Sequence, residues 1–145
     1  MRVTKKAFEQ IKRFEGCRLE AYRDAVAIWT IGYGHTQGVK RGMVITQEEA
    51  DRMFEEDIAK FESAIEAIPG CKELSPNRWD AIISLAYNIG IGNFKRSTLL
   101  KKLQSNPNNK TIFQEFLRWD KAKGQRLEGL RRRRKWEAMR WEGEV

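Results

Sequence analysis

The chain has 145 residues, 41% of them hydrophobic, and a formal net charge of +8 from 28 basic and 20 acidic residues. This suffices for one domain, or two small lobes sharing a core, and no apolar run approaches the roughly 20 residues needed to span a bilayer. The basic start, Met1 to Lys6, runs into Glu9, Gln10, Lys12 and Arg13 rather than an apolar stretch, so no export signal is expected, while the charge calls for an anionic partner such as nucleic acid, acidic lipid or wall polymer.

The first predicted element is a helix from about Thr4 to Glu15. Thr4 suits the N-cap, Val3 and Phe8 take the staple positions, and Ala7, Ile11 and Phe14 recur on one face. Gly16 can end it. Helical periodicity is then lost from Arg18 to about Val44, where Tyr22, Val26, Ile28, Trp29, Ile31 and Tyr33 alternate with glycines at 32, 34, 38 and 42. That segment predicts a small antiparallel sheet with tight turns.

A long helix is expected from Thr46, which forms a capping box with Glu49, to Pro69-Gly70. About 22 residues give roughly 33 Å, enough to join two lobes. The remainder reads as helical. Ser75-Pro76 opens a helix with Trp79, Ile82, Ile83, Ala86 and Ile89 on one face, broken by Gly90 and Gly92. Ser97 starts a short helix, Asn106 to Asn109 form a turn, and Thr111 caps a helix carrying Phe113, Phe116 and Leu117. A final helix holds Trp136, Met139 and Trp141. The expected fold is α+β and mostly helical: an N-terminal lobe of about residues 1–45, a bridging helix of about 46–68 and a helical lobe of about 69–145, with a cleft between lobes as the natural ligand site.

Cys17 and Cys71 lack metal-ligand spacing and cannot build a zinc site with the single His35, so both are expected to be free, partly buried thiols. Glu15, Asp24 and Thr30 are eligible for a different chemistry. Glycoside hydrolysis uses one carboxyl group that donates a proton and another that stays ionised. A helix C-terminus and apolar neighbours both disfavour charge on Glu15. Asp24 lies in a polar turn, Arg23-Asp24-Ala25, and Thr30 offers a strand hydroxyl that could help Asp24 hold a water. With 20 acidic residues in the chain, such pairs are common, and spacing alone does not select this one.

The runs Phe14-Glu15-Gly16, Ala21-Tyr22-Arg23-Asp24 and Trp29-Thr30-Ile31-Gly32-Tyr33-Gly34-His35-Thr36 resemble the signature of phage-type lysozymes of glycoside hydrolase family 24. The family's Glu, its Asp nine positions on and its Thr six beyond match 15, 24 and 30. The resemblance continues in order through Tyr87-Asn88-Ile89-Gly90, Gly92-Asn93-Phe94, Ser97-Thr98-Leu99-Leu100, Phe116-Leu117-Arg118-Trp119 and Gly129-Leu130-Arg131-Arg132-Arg133. It implies an endolysin that hydrolyses the β-1,4 bond from N-acetylmuramic acid to N-acetylglucosamine in peptidoglycan. Glu15 would be the general acid, with Asp24 and Thr30 positioning the attacking water and the sugar inverting. It also implies no metal or organic cofactor, substrate-lining positions at Thr36, Tyr87 and Ser97, and a monomer that waits in the host cytoplasm for a holin before acting on the wall in the periplasm.

His35 is read as ordering the loop beneath the cleft through a carboxylate, not as an acid or base, and Cys17 as a small packed hydrophobe. The run Arg131 to Arg134 is read as a solvated helix start with some arginines pairing acids near the cleft. Four consecutive helical residues fan round the axis and cannot all face one nucleic-acid groove, so no nucleic acid is expected. The rival reading is a lytic transglycosylase, which typically needs only the one Glu and forms an anhydro product without adding water.

Overall fold

In the computed structural model, which describes residues 1–24 and 26–145, local signals set most element ends. Helix α1 spans Lys5–Glu15. The Thr4 hydroxyl accepts the Ala7 N–H at 3.2 Å, and Gly16, at φ 67°, returns its N–H to the Lys12 carbonyl. Strands β1 (Arg18–Arg23) and β2 (Trp29–Gly32) pair antiparallel, with Tyr22 opposite Thr30 and Arg23 opposite Trp29. The chain at Met43–Ile45 adds a third edge through Ala21 N–H to Met43 O and Ile45 N–H to Leu19 O. Ile31, Ile45 and Ala50 form a small core under this sheet.

Helix α2 (Gln47–Glu66) carries both halves of the expected capping box, each at 3.1 Å. Its 20 residues reach about 30 Å and connect two cores: Ala50 enters the small one, while Phe54, Ile58 and Ile65 enter the large one. The helix stops at Glu66, and turns through Ile68, Cys71 and Leu74 lead onward.

Helix α3 (Pro76–Ile89) is central to the large core and is buried continuously from Trp79 to Ala86. Around it lie α4 (Ile91–Arg96), α5 (Thr98–Ser105), α6 (Ile112–Leu117) and α7 (Glu128–Trp141). Ile11 of α1 enters this same core, and Val3 and Phe8 pack against it.

Several expectations are corrected. Gly92 does not break the chain but lies inside α4, because Gly90, at φ 92°, makes the turn alone. Thr111 does not cap α6 with its side chain; its backbone is already helical and its hydroxyl donates to Asn109 Oδ1. A hairpin of β3 (Lys121–Ala122) and β4 (Gln125–Arg126) precedes α7, turning at Lys123-Gly124. Cys17 is exposed rather than packed, and Cys71 is fully buried; both are free. Arg133 and Arg134 are buried, so the helix start is solvated only in part.

Candidate active site

Glu15 is the last residue of α1, and two contacts hold its carboxylate. On one side Oε2 meets Arg133 Nη1 of α7 at 2.5 Å. On the other, Oε1 lies against the Gly34 backbone so closely that a Cβ there would come within 2.5 Å of it. Gly34 also has φ +80°, where L side chains are strained. The glycine therefore meets both a conformational and a steric demand. Arg133 supplies a counter-charge that the expectation for Glu15, built on desolvation and the helix terminus, did not include.

Arg133 is itself tied down. Its Nη2 donates to the Ser84 carbonyl at 2.9 Å, its Nε to Glu137 Oε2 at 3.2 Å, and its guanidinium lies over the Phe14 ring. Burial works against its charge, but the Glu15 and Glu137 carboxylates outweigh it and raise its pKa above the ordinary arginine value.

Asp24 and Thr30 occupy the other scaffold, the β1–β2 hairpin. Asp24 Oδ1 accepts the N–H groups of Val26 and Ile28, both at 2.9 Å. Thr30 Oγ1, in a side chain only 4% exposed, donates to the Ile28 carbonyl at 2.9 Å. Both residues are thus gathered on the Ile28 residue, and Asp24 Oδ2 has no protein partner among the described residues. Ala25, the third member of the expected polar turn, lies outside the described residues. Burial raises the Tyr22 pKa, Arg18 lowers it, and Glu15 and Asp24 add to the rise.

The other expected residues divide. His35 Nδ1 is 2.7 Å from Asp57 Oδ2 and Nε2 is 2.9 Å from the Gln37 carbonyl, which fastens the loop after β2 to α2. Thr36 is exposed beside it. Tyr87 donates its hydroxyl to the Tyr33 carbonyl at 2.7 Å and packs on Phe54 and Phe61, a strut between α3 and the sheet lobe. Burial, then the Glu15 and Asp57 carboxylates, drive its phenol far above the ordinary range. Ser97 is 3% exposed and caps α5, donating to Phe94 O and accepting from Leu100 N. The expectation that some arginines of the 131–134 run pair acids near the cleft is met by Arg133 and Glu15, but sequence reasoning singled out neither Arg133 as that partner nor Gly34 as the seat of the carboxylate. The arginine run and the Gly-x-Gly after β2 were visible, but no local pattern joins residues 118 positions apart.

A cavity of about 310 Å³ opens at Glu15, bordered by Phe14, Asn88, Leu127, Leu130 and Arg133. A larger one, about 390 Å³, lies at the opposite end of α1 against Glu55 and Glu62. Volume alone would favour the second, yet the first is the one that holds Glu15, fixed there by Arg133.

The phage lysozyme family model matches residues 12–137. The endolysin of Acyrthosiphon pisum secondary endosymbiont phage 1 is 42% identical over 149 residues, covering 98% of this chain and 99% of that protein. The solved endolysin from Escherichia coli O157:H7 phage FAHEc1 aligns with TM-score 0.80 and 35% identity over 100% of this chain and 96% of that one. A P22 lysozyme mutant aligns with TM-score 0.77 and 36% identity, covering 98% and 99%.

Proposed function

The chain belongs to the phage lysozyme family, and from that premise we propose that Glu15 donates the proton and Asp24 with Thr30 positions the water in hydrolysis of the β-1,4 bond from N-acetylmuramic acid to N-acetylglucosamine. As an endolysin it is a glycoside hydrolase that lyses the host through its peptidoglycan. The observation that carries the assignment of roles is the unequal anchoring of the two acids. Glu15 Oε2 is occupied by Arg133, so the atom that carries the proton is Oε1, at Gly34. Asp24 spends one oxygen on backbone amides and keeps the other for a water, which Thr30 can share through its hydroxyl oxygen.

A water held and deprotonated by the carboxylate attacks the anomeric carbon from the face opposite the acid as the protonated leaving oxygen departs, and that carbon inverts. Thr36 at the cleft rim contacts the glycan directly; Tyr87 and Ser97 shape its floor from beneath. The chain works as a monomer and reaches the wall once a holin has opened the membrane, a reading supported by the likeness to phage endolysins along nearly its full length.

Proton NMR of the first product formed from soluble peptidoglycan fragments, read before mutarotation, tests the water assignment. The inverted anomer is expected, and net retention overturns it. Glu15→Gln should lose at least about 10²-fold in lysis rate with the fold intact. Activity within a few-fold of the unsubstituted protein sinks the acid assignment.

A further inference from the structure

The Arg133 that meets Glu15 is one member of a buried charge cluster between α7 and α3. Glu137, fully buried, lies at its centre. Its Oε2 accepts from Ser84 Oγ at 2.5 Å, Arg134 Nη2 at 3.1 Å and Arg133 Nε at 3.2 Å. Arg134 Nε also lies 2.8 Å from Glu137 Oε1, but without hydrogen-bond alignment, so both atoms are left with ionic contact alone. Two guanidinium groups and two carboxylates, Glu15 and Glu137, thus share one interior.

Burying four charges is costly, and replacing such sets by apolar side chains often stabilises a protein. Packing α7 on α3 does not by itself require them. What the arrangement does provide is a fixed electrostatic field at Glu15. Arg133 cannot swing away while Glu137 and the Ser84 carbonyl hold its other nitrogens. Glu137 also cancels one of the two positive charges nearby.

We propose that Glu137 is a positioning residue for the reaction: it locks Arg133 against Glu15 and, balanced by Arg134, sets how much positive charge the acid faces. This rests on the reading of Glu15 as the proton donor. The charged and titratable groups coupled to Glu15 are Arg133 and Arg134 from α7, Tyr87 from α3 and Tyr22 from β1. Both tyrosines are held neutral by burial, with pKa values raised above the ordinary phenol range. The balance at Glu15 is therefore decided by Arg133, Arg134 and Glu137.

Opposite substitutions should then move Glu15 in opposite directions. Glu137→Gln keeps an amide oxygen and the Ser84 carbonyl to hold Arg133 but removes the nearby negative charge, which favours the Glu15 carboxylate, so its proton should leave at lower pH. Arg134→Met removes a positive charge and should make it leave at higher pH. Removing one unit charge from this interior, at an effective dielectric of about 20–40, should move the midpoint by about one pH unit in each case.

The experiment follows the Glu15 carboxyl by carbon-13 NMR across pH in the full chain, with near-UV circular dichroism to verify folding. The alkaline limb of kcat/KM, which reports the free enzyme's acid, should move with it. A purely structural cluster would lower stability in both variants and leave the Glu15 midpoint in place, or move both midpoints the same way; either outcome overturns the proposal. If one variant does not fold, the direction of the other decides. The NMR titration does not depend on lysis, so an active Glu15→Gln would defeat the catalytic reading separately from this one.

Discussion

The two halves of the site are built on opposite principles. Glu15 is set in the molecule's interior chemistry, against a buried guanidinium whose partners are buried in turn. Asp24 sits on an open hairpin, held by two amides of its own turn and nothing from the helical core. An acid that must bear a proton at one atom gains from a rigid, desolvated seat. A carboxylate that must stay ionised and hold water gains from solvent and from N–H donors. Function should therefore be lost in both halves on mutation, but stability only in one.

The sharpest break of this contrast is Arg133→Met, which leaves Glu137 and Glu15 without their shared cation. Stripping one partner from a buried pair costs about 3–5 kcal/mol, readable by urea unfolding. A loss under about 1 kcal/mol would mean that the interior half is no more integral to the fold than the hairpin. Gly34→Ala should come next. It forces a side chain into φ +80° and into contact with Glu15 Oε1, so we expect about 1–3 kcal/mol of strain and at least a tenfold fall in lysis; unchanged kinetics would show that the carboxylate has room to move.

Asp24→Asn sharpens the contrast from the other side. The amide oxygen still accepts both N–H groups, so stability should change by no more than about 1 kcal/mol while lysis falls at least about 10²-fold. Parallel loss of both would place Asp24 in the structural class. The smallest effect concerns the thiols. Iodoacetamide on the native protein should label exposed Cys17 and leave Cys71 untouched, since burial pushes the Cys71 thiol up to about 11. Between pH 9 and about 11 the native state keeps a proton that the unfolded chain has lost, so stability from this group falls as pH rises through that window. A Cys71→Ala variant should show a shallower decline there.

The same division governs how much the sequence reveals. Thr4, Gly16, Thr46 with Glu49, and Ser97 act on neighbours three or four positions away, and each element end they mark is found within two residues. The Glu15–Asp24–Thr30 set is different: with 20 acidic residues in the chain its spacing does not select it, and it stands out only through the ordered blocks that resemble the lysozyme signature. Helix α7 is the opposite case. It has no clean apolar stripe, since Arg133, Arg134 and Glu137 replace hydrophobes on its buried side. Its run of arginines is expected to be solvated with some members pairing acids near the cleft, and which members do so is fixed only when the carboxylates are brought from elsewhere in the fold. Likewise nothing near Cys17 signals that its helix end is left open to solvent.

Helix α1 is clasped at both ends by residues far along the chain. At its start the Thr4 N–H and hydroxyl donate to the two oxygens of Asp80, and Arg140 holds the same carboxylate. At its finish Arg133 holds Glu15. Both arginines lie in α7, which is made after helices α1 to α6. A nascent chain that has made the hairpin, α2 and α3 can assemble much of its core and can already hold the start of α1 through Asp80, yet until α7 follows it lacks the arginines that complete both clasps. Contacts spanning over a hundred residues form late because their loop-closure entropy is met last. The order of synthesis thus acts as a timer: the seat of Glu15 closes only once α7 has been made and has folded back.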